Sequence, residues 1–145
     1  MSLDVSLYNE NIEKIKWWQE RRDRDFEENK LQYSIQTVVN EYWEEIKPER
    51  ILLYTANITH NLNKMAKEAG IYYFLWRPDE LEITMAKNLI KPLKRGLKLL
   101  KSKSEYFRTF DDPDGWGMFD HFVPFVEKYL NACIEFPYST IEISR

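Results

Sequence analysis

Leu3, Val5 and Leu7 alternate with Ser2, Asp4, Ser6 and Tyr8, a period of two that predicts a strand with one buried face. Ile141 and Ile143 alternate with Thr140, Glu142 and Ser144 in the same way, so both ends of the chain are predicted strands. Residues 51–56 are apolar at positions facing both ways, which predicts a third strand placed centrally between the other two, with helices as cover. The expected fold class is α+β: a small sheet containing the N- and C-terminal strands and the central strand 51–56, covered by about four to five helices. The chain reads as a single domain over 1–145, with a helical insertion at about 9–47.

Period changes to three and four elsewhere. Within the insertion, Ile12, Ile15, Gln19, Arg22 and Phe26 give a weak amphipathic helix, and Ile35, Val38, Val39, Tyr42, Trp43 and Ile46 a cleaner one that Pro48 ends. Leu62, Met65, Ala66 and Ala69 predict one helix face, closed by Gly70. Residues 71–76 are too short and too aromatic a run for periodicity to assign. A helix is expected from an N-cap at Thr84 to about Lys103, bent or interrupted at Pro92. Asp111, Asp112, Pro113, Asp114 and Gly115 form a strong turn signal. The last helix is expected from about 118 to 134, burying Phe119, Phe122, Val123, Val126, Tyr129, Leu130 and Cys133, with a kink at Pro124.

Composition narrows the class. With 145 residues, 43% of them hydrophobic and 15% aromatic, the chain can build a real core. A net charge of −3 argues against bulk nucleic-acid binding, yet it conceals an asymmetry. Residues 51–103 hold 10 basic and 4 acidic side chains, whereas the segments before and after are both acidic. Cys133 is the single cysteine, which fits a reducing compartment. No apolar run is long enough to span a bilayer and the first residues carry no signal-peptide pattern, so a cytoplasmic protein without membrane association is expected.

The densest candidate chemistry lies where the strand at 51–56 meets the following helix. Thr55, Asn57, Thr59, His60, Asn61 and Asn63 crowd a junction whose free backbone N–H groups could hold an anion or a polar substrate. Capping by Asn57 or Thr59 explains one of these residues. A neutral His60 at a helix start can accept a proton, which motivates an enzyme reading: His60 as general base or polar electrophile, Asn57 and Asn61 orienting substrate, Arg77 neutralising an anion. Trp76 and Arg77 could form an aromatic and bidentate ligand wall, against the commoner pairing of Arg77 with Asp79 or Glu80. Lys87, Lys91, Lys94, Lys98 and Lys101 recur at spacings of four and three, a basic stripe that is either a solvated face or a contact for phosphates or an acidic partner. Asp112, Asp114 and Gly115 echo a calcium loop, but Phe110 and His121 stand where its end ligands belong. His60 and His121 have no metal-ligand spacing, and the glycine motifs of nucleotide sites are missing from the sequence. No metal and no cofactor is expected.

MSLDVSLY at the start, YTANITHNLNKMAKEAGIYYFLWRPDEL in the middle and DGWGMFDHFVPFVEKYLNACIEFPYSTIEISR at the end together resemble a family of small uncharacterised proteins of bacteriophages and their bacterial hosts. The resemblance covers the first eight residues and most of 54–145, and rests on ANITHNL, LWRP and the GWG turn. It implies that Asn57, Thr59, His60, Asn61, Trp76, Arg77, Gly115 and Trp116 occupy the family's recognisable positions. It also implies that 9–47 is an insertion relative to shorter members. The family carries no assigned activity. The functional expectation is therefore a phage-type accessory protein, a non-catalytic binding module for a protein partner or small polar ligand. The alternative is a small enzyme using His60, and a third reading is weak nucleic-acid binding through the lysine stripe.

Overall fold

The computed structural model describes residues 1–9 and 51–145. Met1–Tyr8 and Leu52–Arg145 form one compact unit and Asn9–Ile51 another. The two helices expected within 9–47 lie outside the described residues.

The fold is α+β. Its three described strands are β1 (Ser2–Asn9), β2 (Ile51–Thr59) and β3 (Thr140–Ser144), in the order β2-β1-β3. β3 runs antiparallel to β1, with Val5 opposite Ile143 and Leu7 opposite Ile141. The His60 N–H reaches the Met1 carbonyl while the Ser6 and Thr55 hydroxyls share a 3.1 Å hydrogen bond, so β2 also runs antiparallel to β1. The terminal strands thus join the 51–56 strand as expected, but β1 takes the middle. Alternation explains why. Leu3, Val5 and Leu7 are wholly buried on one face, whereas Thr55 and Asn57 interrupt the outer face of β2 and Ile51 and Leu52 are about half exposed.

Tyr54, Ala56, Ile58, Ile141 and Ile143 join the three β1 residues in one core with the helices. A 3-10 turn, His60–Leu62, leads from β2 into α1 (Asn63–Glu68), whose Leu62, Met65, Ala66 and Ala69 face is buried as the spacing predicts. Gly70 ends it at φ 75, a conformation that a side chain disfavours. The unassigned aromatic run forms α2 (Tyr72–Trp76), where Tyr72 and Trp76, one turn apart, stack at 5.4 Å.

The long helix begins later than the sequence suggests. Thr84 caps nothing. Its carbonyl accepts from the Ile141 N–H, and the Ala86 and Lys87 N–H groups reach the Ser139 and Pro137 carbonyls, so this segment is held extended beside β3. A 3-10 turn, Ala86–Leu89, then opens α3 (Ile90–Ser102). Pro92 is the third residue of α3, in the turn whose N–H groups have no intrahelical partner, and there proline fits without interrupting the helix. After α4 (Ser104–Arg108) and the acidic turn, α5 (Phe119–Glu135) packs along α3. Asp111 accepts from the Phe119 N–H at 2.6 Å and so satisfies the start of α5 from a distance. Pro124 lies within α5, which continues through it. No helix among the described residues is long and apolar enough to cross a membrane.

Candidate functional site

The site is built by two tight pieces of chain locked together. In the acidic turn, the Asp112 carboxylate accepts from the Asp114 N–H at 2.9 Å and its carbonyl from the Gly115 N–H at 2.9 Å. Gly115 and Gly117 take φ values of 82 and 108, so the turn needs glycine on both sides of Trp116. Asn61 then clamps it: its amide donates one hydrogen to Asp112 Oδ2 and the other to the Trp116 carbonyl, each at 3.0 Å. A Cβ on Gly117 would stand 3.0 Å from the Asn61 Cβ, so this approach also requires glycine. Held this way, Trp116 is 69% exposed.

Beside Trp116, between β2 and α5, lies a cavity of about 500 Å³. Tyr54, Ala56, Ile58, Pro124 and Phe125 give it apolar walls, and Asn57, Thr59, His121 and Lys128 bring polar atoms to it. His121, Pro124, Phe125 and Lys128 follow at helical spacing, so one face of α5 supplies a whole wall. Tyr129 backs that wall, with its ring 6.0 Å from Tyr54 and 6.1 Å from Phe125. Burial pushes the Tyr54 hydroxyl above its ordinary pKa, with the neighbouring Cys133 adding to the effect. The Cys133 thiol is itself pushed up to about 12 by burial, so it is a core residue and not a nucleophile. The side chains of Asn57, His121 and Lys128 make no hydrogen bond or ion pair among the described residues.

The residues singled out in the sequence divide among different places. Asn57 and Thr59 reach this cavity. Thr59 also caps the 3-10 turn, accepting from the Asn61 N–H at 3.4 Å. His60 and Asn61 border a separate hollow with Met1, Thr59 and Trp116. The junction's backbone donors are spent internally, since the His60 N–H meets Met1 and the Asn61 N–H meets Thr59. His60 Nδ1 accepts from the Trp76 indole N–H at 2.9 Å. A neutral imidazole bonded in this way carries its proton on Nε2, where it can donate but cannot act as a base.

Trp76 is buried and its carbonyl accepts from Arg145 at 2.9 Å. Arg77 Nε donates to the Tyr72 hydroxyl at 3.3 Å, and its guanidinium stands 3.5 Å from Glu80. The Tyr72 bond first, and Glu80 second, raise its pKa further. Arg77 borders neither hollow, so Asn57, His60 and Arg77 do not converge. The lysine stripe is divided as well: Lys87 lies over the Tyr138 ring at 5.5 Å and Lys101 pairs with Glu127 at 3.2 Å. No group of His, Cys, Asp and Glu among the described residues is arranged to hold a metal ion.

Tyr54, His121 and Lys128 are not among the site residues that the sequence singles out. Tyr54 reads simply as strand core. The signal for the other two was their separation by seven, which puts them on one helix face, but only the fold shows what that face borders. Compared with protein families, curated proteins and solved structures, the chain has no match.

Proposed function

We propose that this protein is a non-catalytic binding module of the phage accessory type, and that the cavity between β2 and α5 takes a small ligand with a flat apolar body and an anionic end. One observation carries the reading: Asn57, His121 and Lys128 reach a cavity of about 500 Å³ beside an exposed Trp116, and their side chains make no hydrogen bond or ion pair among the described residues. Polar groups left unpaired beside apolar and aromatic walls are what a ligand site requires, because the walls supply affinity and the polar groups orientation. Tyr54, Trp116 and Phe125 bring aromatic rings, Lys128 a cation, and no acid among the described residues borders the cavity. An aromatic carboxylate or a nucleoside monophosphate has this combination.

Thermal shift with indole-3-acetate, benzoate and adenosine monophosphate tests the reading, because a ligand that binds only the folded state raises Tm by mass action. At a concentration of about 100 times Kd the gain is roughly 2.7 kcal/mol. At least one of these probes is expected to raise Tm, with the shift lost in Trp116→Ala and reduced in Lys128→Ala. Equal shifts in wild type and Trp116→Ala would reject the cavity as the site. The enzyme reading keeps one supporting observation, the Trp76 bond that orients His60, and it gives His60 the part of a hydrogen-bond donor. Hydrolysis of a phosphoester abolished by His60→Ala would favour it.

A further inference from the structure

Between Glu82 and Glu105 the chain has seven basic residues and no acid. The fold sorts them. Lys87 is engaged by Tyr138 and Lys101 by Glu127, whereas Lys91, Lys94, Arg95 and Lys98 make no ion pair or ring contact among the described residues and stand exposed along α3. Arg95 and Lys98 also border a second groove of about 500 Å³, whose walls include Ala69, Pro92 and Leu99. Two glycines shape it. A methyl on Gly96 would overlap the Ile71 side chain, so α3 can lie against the turn between α1 and α2 only without a Cβ there. At the groove's other side Gly70 takes φ 75 and leaves open space where a side chain would project.

We propose that this groove binds an acidic polypeptide segment that places an apolar side chain between Arg95 and Lys98. The charge pattern selects the partner's sign, because four unpaired cations on one helix repel one another until an anionic chain neutralises them. The groove selects a polypeptide over a nucleic acid. Ala69, Pro92 and Leu99 give phosphates nothing to bind, and among the described residues no aromatic side chain borders the groove on which a base could stack. A net charge of −3 on the whole chain also opposes a polyanion as large as duplex DNA. Exposed ion pairs contribute little individually, so the apolar anchor supplies affinity while the lysines supply orientation and on-rate. The groove stands on residues other than those of the β2–α5 cavity, so each proposal can fail without the other.

Fluorescence anisotropy on the full chain tests the groove. The probe is a fluorescein-labelled glutamate peptide of roughly 14 residues, about the length of α3 when helical, with leucine at spacings of three and four. Two companion peptides replace either every glutamate by glutamine or every leucine by serine. The acidic leucine peptide is expected to bind, and both companions to bind at least about tenfold more weakly, as is the Arg95→Glu, Lys98→Glu double variant. The milder Arg95→Gln, Lys98→Gln pair, at equally exposed positions, is expected to weaken binding by a smaller factor while keeping the wild-type Tm. Lys87→Ala and Trp116→Ala should leave the affinity within about twofold, since neither residue borders the groove. Three outcomes overturn the proposal: no binding of the acidic leucine peptide, equal binding of the leucine-free peptide or a DNA duplex, or indifference to both double variants.

Discussion

Asn61 shows how a residue with the chemistry of a ligand contact can instead serve the fold. Both of its amide hydrogens are committed, one to a carboxylate and one to the Trp116 carbonyl, so it orders the turn that presents the indole. Removing it in Asn61→Ala loses two hydrogen bonds at an exposed site, with an expected cost of roughly 1–2 kcal/mol in urea denaturation. A stability unchanged in that variant would show that the turn holds itself. Tyr129 presents the opposite case. Its hydroxyl is fully buried with no hydrogen-bond partner among the described residues, and burial holds its pKa well above the ordinary value. Tyr129→Phe deletes an unsatisfied polar atom while keeping the ring against Tyr54 and Phe125, so it should stabilise the protein by about 1 kcal/mol. A lower Tm for Tyr129→Phe would contradict this.

At the scale of elements, what the sequence made legible was whatever rests on local periodicity. Leu3, Val5 and Leu7 announce β1, Ile141 and Ile143 announce β3, and Leu62, Met65, Ala66 and Ala69 announce the buried face of α1. Order within the sheet was not legible, because an apolar run reports burial and not which neighbours provide it. The start of α3 was misread for a similar reason: Thr84 has the side chain of a cap, but its backbone is drawn into pairing with β3, a contact across 57 positions of sequence. The cavity was half legible. Asn57 and Thr59 stand out in the sequence as part of a polar cluster, while nothing local links His121 and Lys128 to them, since only the placing of α5 beside β2 brings the four to one cavity. Gly96 is a further position where tertiary packing outweighs local preference. Alanine there gains roughly 1 kcal/mol of helix propensity but drives a methyl into Ile71, and overpacking of this kind costs about 1–3 kcal/mol. Gly96→Ala should therefore lower the urea midpoint. A higher midpoint would mean that Ile71 yields freely.

For the molecule as a whole, the pH dependence of stability follows from its buried acidic groups. The folded state holds the Cys133 thiol at about 12, above its unfolded value of 9.0, and the Tyr129 hydroxyl is raised too, both through burial. A group raised on folding contributes stability that is complete below its unfolded pKa and lost as pH climbs towards the folded one. On the alkaline side stability should therefore fall steeply from about pH 9 upward, the thiol alone accounting for on the order of 4 kcal/mol by pH 12. Urea denaturation at successive pH values measures this, and Cys133→Ala should show a shallower alkaline decline. A parallel decline in the two proteins would show that the thiol is not the cause. The same unit carries both hollows, the cavity beside Trp116 and the basic groove on α3.

Trp116 and Trp76 provide the most direct measurement, because Trp116 lines the cavity while the indole N–H of Trp76 is bonded to His60. Titration of 15N-labelled protein with indole-3-acetate, followed through the tryptophan side-chain N–H resonances and assigned with Trp116→Phe, separates the two places. A saturable shift of the Trp116 resonance is expected, with Trp76 unmoved and the effect weakened in Lys128→Ala. A Trp76 shift with Trp116 unmoved, or no shift at either residue, would contradict it.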